Sequence, residues 1–319
     1  MLGGNGQVVM PWRRRSPAMA ATSARARLRT ILRRGAMPAP LTLLLALVLV
    51  QGLAWSATTA PFNGPDEPAH IAYAQLVAET GHGPKKSDGT GSVSSEVARA
   101  EFELNLVPMI QHTEARPTWS ALARVSKSLE HLPAAQRRNG TGPNAVAQNP
   151  PLYYFYEALA YRLSPNQSLL GRVFAMRAAN VLLYMATVVL IWLAAGEVFA
   201  RAWVRFLATA IVALNPRLAS LAGNVNADTM LVTISTGFLY AGLALLRRGP
   251  TAWSVAGVGL LAGLAALTHG RGLFLIPCAL VVFVLAWFRS RPGRAAILRQ
   301  GVIAAACIVA CLVVAYFWT

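Results

Sequence analysis

The sequence predicts an all-α polytopic membrane protein with about seven transmembrane helices and a large extracytoplasmic loop after the first. Three observations carry this. Of 319 residues, 55% are hydrophobic and only 13% are charged, against about 25% charged in a soluble chain. Seven apolar runs near bilayer-crossing length follow one another, at 41–57, 174–196, 203–221, 228–246, 252–268, 272–288 and 301–318. Lys and Arg gather in alternate connectors between those runs, the pattern that sets orientation in a membrane.

Residues 1–40 form a basic leader that carries Arg13, Arg14, Arg15, Arg25, Arg27, Arg29, Arg33 and Arg34 and no acid. This composition predicts a disordered cytoplasmic segment, and Met19 and Met37 offer alternative starts within it. The first span, 41–57, reads as a retained anchor. Its basic flank and the small residues around Ala54-Trp55-Ser56 also meet the pattern of a cleaved signal peptide, although the leader is long for one. Residues 58–173 then form the extracytoplasmic loop, and 174–319 supply six further spans. With the leader inside, Arg201 and Arg205, Arg247 and Arg248, and Arg289, Arg291, Arg294 and Arg299 all fall on the cytoplasmic side. Arg217 and Arg271 stand singly outside. The expected location is the cytoplasmic (inner) membrane, with the N-terminus in the cytoplasm. The net charge of +17 is then accounted for by topology, so no nucleic-acid partner is expected. Cys278, Cys307 and Cys311 lie inside apolar runs; they read as small lipid- or helix-facing residues, not as a disulfide or zinc framework.

The loop from Thr58 to Gly171 holds ten of the twelve acids and four of the five histidines. It has too little apolar content to form an independent domain. Its stretches 81–91 and 137–147 are rich in Gly, Ser, Asn and Lys and read as mobile. Both ends read as ordered. Pro68 suits a first helical turn, and 69–79 continues as helix, with Ile71, Leu76 and Val77 available for packing. At the far end Asn149 can cap, Pro150 and Pro151 can open a helix, and Tyr153, Tyr154, Phe155 and Tyr156 suit the headgroup zone. Residues 152–163 are too few to span, so an interfacial helix on the outer leaflet is expected.

The most telling residues are Asp66 and Glu67, adjacent acids at the mouth of the first span in a chain with few acids. Charge beside hydrocarbon is costly and is usually retained for function. One carboxylate can serve as general base toward a hydroxyl, while its neighbour holds a metal, orients the base or raises its pKa. His70, a turn later, can donate to either acid or to a phosphate. The alternative is a plain helix start, where acids favour the dipole. Asp-Glu-x-x-His is not the His-Glu-x-x-His pattern of zinc proteases.

Together, Pro65-Asp66-Glu67-Pro68-Ala69-His70 after the first span and Asn149-Pro150-Pro151-Leu152-Tyr153-Tyr154 before the second resemble motifs of the GT-C superfamily of membrane glycosyltransferases. The chain is most similar to a bacterial group of predicted polytopic membrane proteins, and both segments also resemble loop motifs of protein O-mannosyltransferases. The resemblance covers roughly 41–318 and implies a GT-C-like core. It implies inverting transfer of a hexose or pentose from a polyprenyl-phosphate donor to a glycan, lipid or protein acceptor on the outer face, in envelope glycoconjugate assembly. By position it implies Asp66 as catalytic base and Glu67 as its partner, through a divalent cation such as Mg or Mn that Glu67 would help hold. Asn149, Pro150, Pro151 and Tyr153 would shape the donor side. Arg177 would meet the donor phosphate, with an ordinary snorkelling arginine as the alternative. Asp228, in the run Asn224-Val225-Asn226-Ala227-Asp228, would bind metal or sugar; the favoured alternative is a helix cap.

Where relatives carry a lysine after the fifth span, this chain reads Thr268-His269-Gly270-Arg271-Gly272. His269 is largely neutral near neutral pH, so Arg271 is the better grip for a phosphate. The chain ends at Tyr316-Phe317-Trp318-Thr319 without a polar flank, and relatives continue further, so the expectation is a seven-helix core cut from a longer protein. No nucleotide cofactor is expected: Gly257, Gly259 and Gly263 lie in an apolar run and read as helix-packing residues. The competing class is a non-catalytic scaffold or transporter for envelope polymers. A transporter would place polar groups at mid-membrane depth, whereas here they gather at outer helix ends and in one loop.

Overall fold

The computed structural model describes residues 38–84, 93–105, 117–130 and 144–318, together with positions 112, 114, 132, 133 and 135. Almost all of the basic leader and much of the two stretches expected to be mobile lie outside the described residues. All the regular elements among the described residues are helices. They are α1 (Ala39–Thr58), α2 (Glu67–Thr80), α3 (Ser95–Glu103), α4 (Trp119–Glu130), α5 (Leu152–Leu163), α6 (Leu169–Val198), α7 (Ala202–Ala213), α8 (Pro216–Ala222), α9 (Ala227–Arg248), α10 (Ala252–Thr268), α11 (Leu275–Ser290) and α12 (Arg294–Phe317). A 3₁₀ turn, Gly270–Phe274, joins α10 to α11.

The seven expected spans become five, or six with a bent pair counted as one. α1, α6, α9, the unit Gly270–Ser290 and α12 are each long and apolar enough to cross a bilayer. The third expected span is broken: α7 and α8 meet at an angle of 56°. The cause is local. Pro216 cannot supply the donor an uninterrupted helix needs, and Asn215 instead accepts from Arg217 N and opens a new helix. The fifth, α10, has the expected bounds but only 17 residues, about 25 Å of helix. It is gripped from the side: a Cβ on Gly259 would lie 2.9 Å from Ala304 O, and one on Gly263 2.9 Å from Cys311. These two glycines let α12 approach closely, as expected, whereas Gly257 faces open space. Cys311 is buried in that seam.

α6 runs five residues upstream of its expected start, because the Ser168 side chain accepts from Gly171 N. At 30 residues it is about 45 Å long. Its lower part packs Tyr184, Val188 and Trp192 against Leu41, Leu44, Leu45 and Val48 of α1 and against Ala213, Ala219 and Ala222. Its upper part carries Val173 and Met176 into a second core formed with α2, α5 and the start of α9. A third core joins α9, α10, α11 and α12 through Phe238, Leu245, Val258, Phe283 and Ala304.

α5 has the expected bounds, and Phe155, Leu159 and Leu163, one helical stripe, are exposed, as an interfacial helix requires. Its aromatic residues do not all sit at an interface, however. Tyr153, Tyr154 and Tyr161 are buried against the protein. Nor does Asn149 cap α5. Pro151 holds the cap position without a side-chain hydrogen bond, and Asn149 turns inward.

Candidate functional site

The site lies where the chain leaves α1. Residues 59–66 turn back over the top of α6, and Asp66 takes a left-handed conformation (φ 54°, ψ 14°) at the start of α2. Aspartate tolerates that region better than most residues. The twist sends two adjacent carboxylates in opposite directions: Asp66 is exposed and makes no capping hydrogen bond, whereas Glu67 is fully buried. They are therefore not a functional pair in the expected sense.

Glu67 is spent on Arg177. Its Oε1 accepts from Arg177 Nε at 2.8 Å and Val225 N at 2.9 Å. Its Oε2 accepts from Arg177 Nη2 at 2.7 Å and Gly64 N at 3.2 Å. Arg177 is equally buried. Its Nη1 donates to Ser56 O at 2.8 Å and Thr59 O at 2.7 Å, and its Nη2 also to Ala60 O at 3.0 Å. All five guanidinium donors are used. Two expectations are thereby corrected. Arg177 neither snorkels nor is free to meet a donor phosphate, and Glu67 has no oxygen left for a metal. Among the described residues no group of three His, Cys, Asp or Glu is gathered to hold an ion, so the residues present do not fit the expected divalent cation through Glu67.

The loop before α9 closes the other wall. Asn226 caps α9 by accepting from Asp228 N, and its amide donates to Pro65 O at 3.0 Å. Asn224 packs so near Gly64 that a Cβ there would lie 2.8 Å from its side chain. Asp228 is therefore not the cap. It accepts from Arg271 Nη1 at 3.0 Å and 3.3 Å, and Arg271 is 71% exposed at its side chain. His269 turns that corner, its Nδ1 accepting from Arg271 N at 3.1 Å. Gly272 is needed there, since a Cβ would lie 2.0 Å from Ala265 O. Burial lowers the His269 pKa, Asp228 opposes this, and Arg271 adds to it.

Beneath this surface lies a buried polar layer. His70 Nδ1 is 2.9 Å from Tyr154 Oη, and Asn149 Nδ2 donates to the same hydroxyl at 3.0 Å. Asn180, fully buried, donates to Tyr153 Oη and to Asn224 O, each at 3.0 Å. Burial, with the charge of His269, brings the His70 pKa down to about 3, so His70 is no cationic partner for a phosphate. Tyr153 is enclosed and reaches no surface ligand, and Pro151 is buried too. The expected residues thus divide into two shells. Asp66, Asp228, His269 and Arg271 reach the surface, while Glu67, His70, Asn149, Pro151, Tyr153 and Arg177 hold the site from within. The sequence reading missed Asn180, whose signal was a lone amide inside an apolar span. It also missed Glu157, a fully buried carboxyl on α5.

Glu157 and His70 set opposite limits on stability. Burial raises the Glu157 pKa well above 4.5, and the neighbouring Tyr153 hydroxyl offsets this in part. Below pH 6.5 the unfolded chain protonates His70 while the folded chain, with a pKa of about 3, does not, so stability falls with pH. Above 4.5 the unfolded chain ionises Glu157 while the folded chain does not, so stability falls as pH rises. Each slope is about 1.4 kcal/mol per pH unit, and the two oppose each other just above pH 4.5. Thermal unfolding in detergent should show the His70→Gln variant losing part of the acid limb and the Glu157→Gln variant part of the alkaline limb. Curves parallel to the unmodified protein would contradict both assignments.

Helices of bilayer length with a polar site at one end define a polytopic helical membrane protein. The chain belongs to the family described as predicted membrane protein (DUF2142), whose profile matches residues 49–319. No curated protein and no solved structure matches it.

Proposed function

We propose that this protein is an inverting membrane glycosyltransferase of GT-C type, which moves a sugar from a polyprenyl-phosphate donor to an acceptor hydroxyl. The reaction face is extracytoplasmic, in the cytoplasmic membrane, and the product belongs to envelope glycoconjugate assembly. One observation carries the reading. Asp66 is an exposed carboxylate on a rigidly held turn, at the same helix ends as an exposed arginine whose present partner is a single carboxylate.

In this reading Asp66 takes the proton from the acceptor hydroxyl as it attacks the anomeric carbon. Arg271 exchanges Asp228 for the donor phosphate and stabilises the charge that develops on that leaving group. The exposed stripe of α5 keeps the helix in the headgroup zone, close to where a lipid-linked donor presents its phosphate. The basic ends around Arg201, Arg247 and Arg248 face the cytoplasm.

The direct test supplies membranes containing the protein with radiolabelled polyprenyl-phosphate sugars. Label should pass to a product other than the donor; a yield equal to membranes without the protein overturns the proposal. Arg271→Ala tests the phosphate grip separately. An exposed pair contributes at most about 1 kcal/mol to stability, so Tm should barely move. Charge-assisted hydrogen bonds of about 1.5–3 kcal/mol would be lost from the donor, and its apparent KM should rise roughly tenfold or more. An unchanged KM removes Arg271 from the donor site.

A further inference from the structure

The two loop motifs meet through three side chains. Asn149 is fixed by its backbone: its N–H donates to Val146 O at 2.9 Å, and its C=O accepts from Tyr73 Oη at 3.1 Å. The Tyr154 ring is fixed by stacking on Tyr73, with centroids 3.5 Å apart and planes within 9°. The Asn149 amide nitrogen donates to Tyr154 Oη, and such a group can only donate. The one hydrogen of the Tyr154 hydroxyl is then left for its other neighbour, His70 Nδ1. A ring nitrogen that accepts carries no proton, so in a neutral imidazole the proton sits on Nε2.

We propose that Asn149 and Tyr154 are positioning residues that lock His70 as its neutral Nε2–H tautomer, which leaves Nε2–H as the ring's one donor. His70 then cannot act as a general base, because its accepting nitrogen is already occupied. The ring then carries a fixed donor and no charge within the buried layer that supports the Asp66 turn. Burial of the ring favours the same neutral form. The Asn-Pro-Pro-Leu-Tyr-Tyr segment thereby acquires a chemical role, since it fixes where the proton of the Asp-Glu-x-x-His histidine lies.

The test is ¹⁵N NMR of the full chain labelled at histidine, with the His70 signals assigned by their loss in His70→Gln. The unmodified protein should show a protonated Nε2 and an unprotonated Nδ1. Tyr154→Phe keeps the stacked ring but removes the hydroxyl, and should release a mixture of tautomers. Asn149→Asp offers an acceptor where the amide donated. Tyr154 should then donate to the new carboxylate, and the His70 proton should move to Nδ1. A proton on Nδ1 in the unmodified protein, or an unaltered His70 spectrum in Tyr154→Phe, overturns the proposal. These two spectra decide it even if Asn149→Asp does not fold. Sugar transfer is no part of the readout, so a failed transfer assay would strike the proposed function and leave the tautomer assignment standing.

Discussion

Replacing Arg177 by alanine should cost about 3–5 kcal/mol, the usual penalty for stranding a buried charge. The change leaves Glu67 buried with only the Gly64 and Val225 amides for partners. It also removes a donor from the Ser56 and Thr59 carbonyls, and leaves that of Ala60 with Asn63 N. A typical domain is stable by about 5–15 kcal/mol, so the variant should lose a large share of its stability and unfold at a clearly lower temperature in detergent. Arg177→Lys should be intermediate, since an ammonium brings three donors where five are used. Removing both charges, as in Glu67→Leu with Arg177→Leu, should recover part of the loss, because the desolvation of each ion disappears with it. Gel filtration and thermal unfolding read all three. A Tm for Arg177→Ala equal to the unmodified protein would mean that the buried pair is not what holds the loop.

Asp66→Asn should have the opposite profile. The side chain is exposed and caps nothing, and asparagine also tolerates the left-handed backbone, so folding and Tm should be unaffected. Transfer should fall by about 10²–10⁴-fold, the contribution of a positioned general base. Glu67→Gln separates the neighbours: it should lower Tm, since the charge-assisted bonds to Arg177 weaken, whereas Asp66→Asn should not. Transfer by Asp66→Asn at the unmodified rate would remove Asp66 from the chemistry. The contrast distinguishes a catalytic acid from a structural one within a single dipeptide.

Much of this was legible in the sequence, for identifiable reasons. Apolar run length located the spans, and the short helix 152–163 was bounded by its own prolines and composition. The residues singled out around 66–70, 149–153, 228 and 269–271 do gather at one end of the helices. Their roles were harder to read, because a one-dimensional pattern does not say which way a side chain turns. Nothing in the string Asp66-Glu67 reveals that a positive φ at Asp66 sends one carboxylate to solvent and the other inward. Arg177 looked interfacial because its partners lie far away in sequence, at Ser56–Ala60 and Glu67. The break at Asn215-Pro216 was visible as residues, yet the apolar run continued through it and masked the bend.

The wiring of Glu67 bears on the order in which the protein can be made. Its four donors belong to Gly64, Val225 and, twice, Arg177. A ribosome that has just passed Glu67 has supplied one of them, Gly64. Until residue 177 has been synthesised and inserted, the acid has no countercharge, and until residue 225 follows, one amide is still missing. The dipeptide that begins the loop is therefore completed late, after α6 has docked and the turn into α9 has closed. Nascent chains shorter than this should keep the acid in water, and the exposed Asp66 acquires its fixed bearing only when the second half of the bundle arrives.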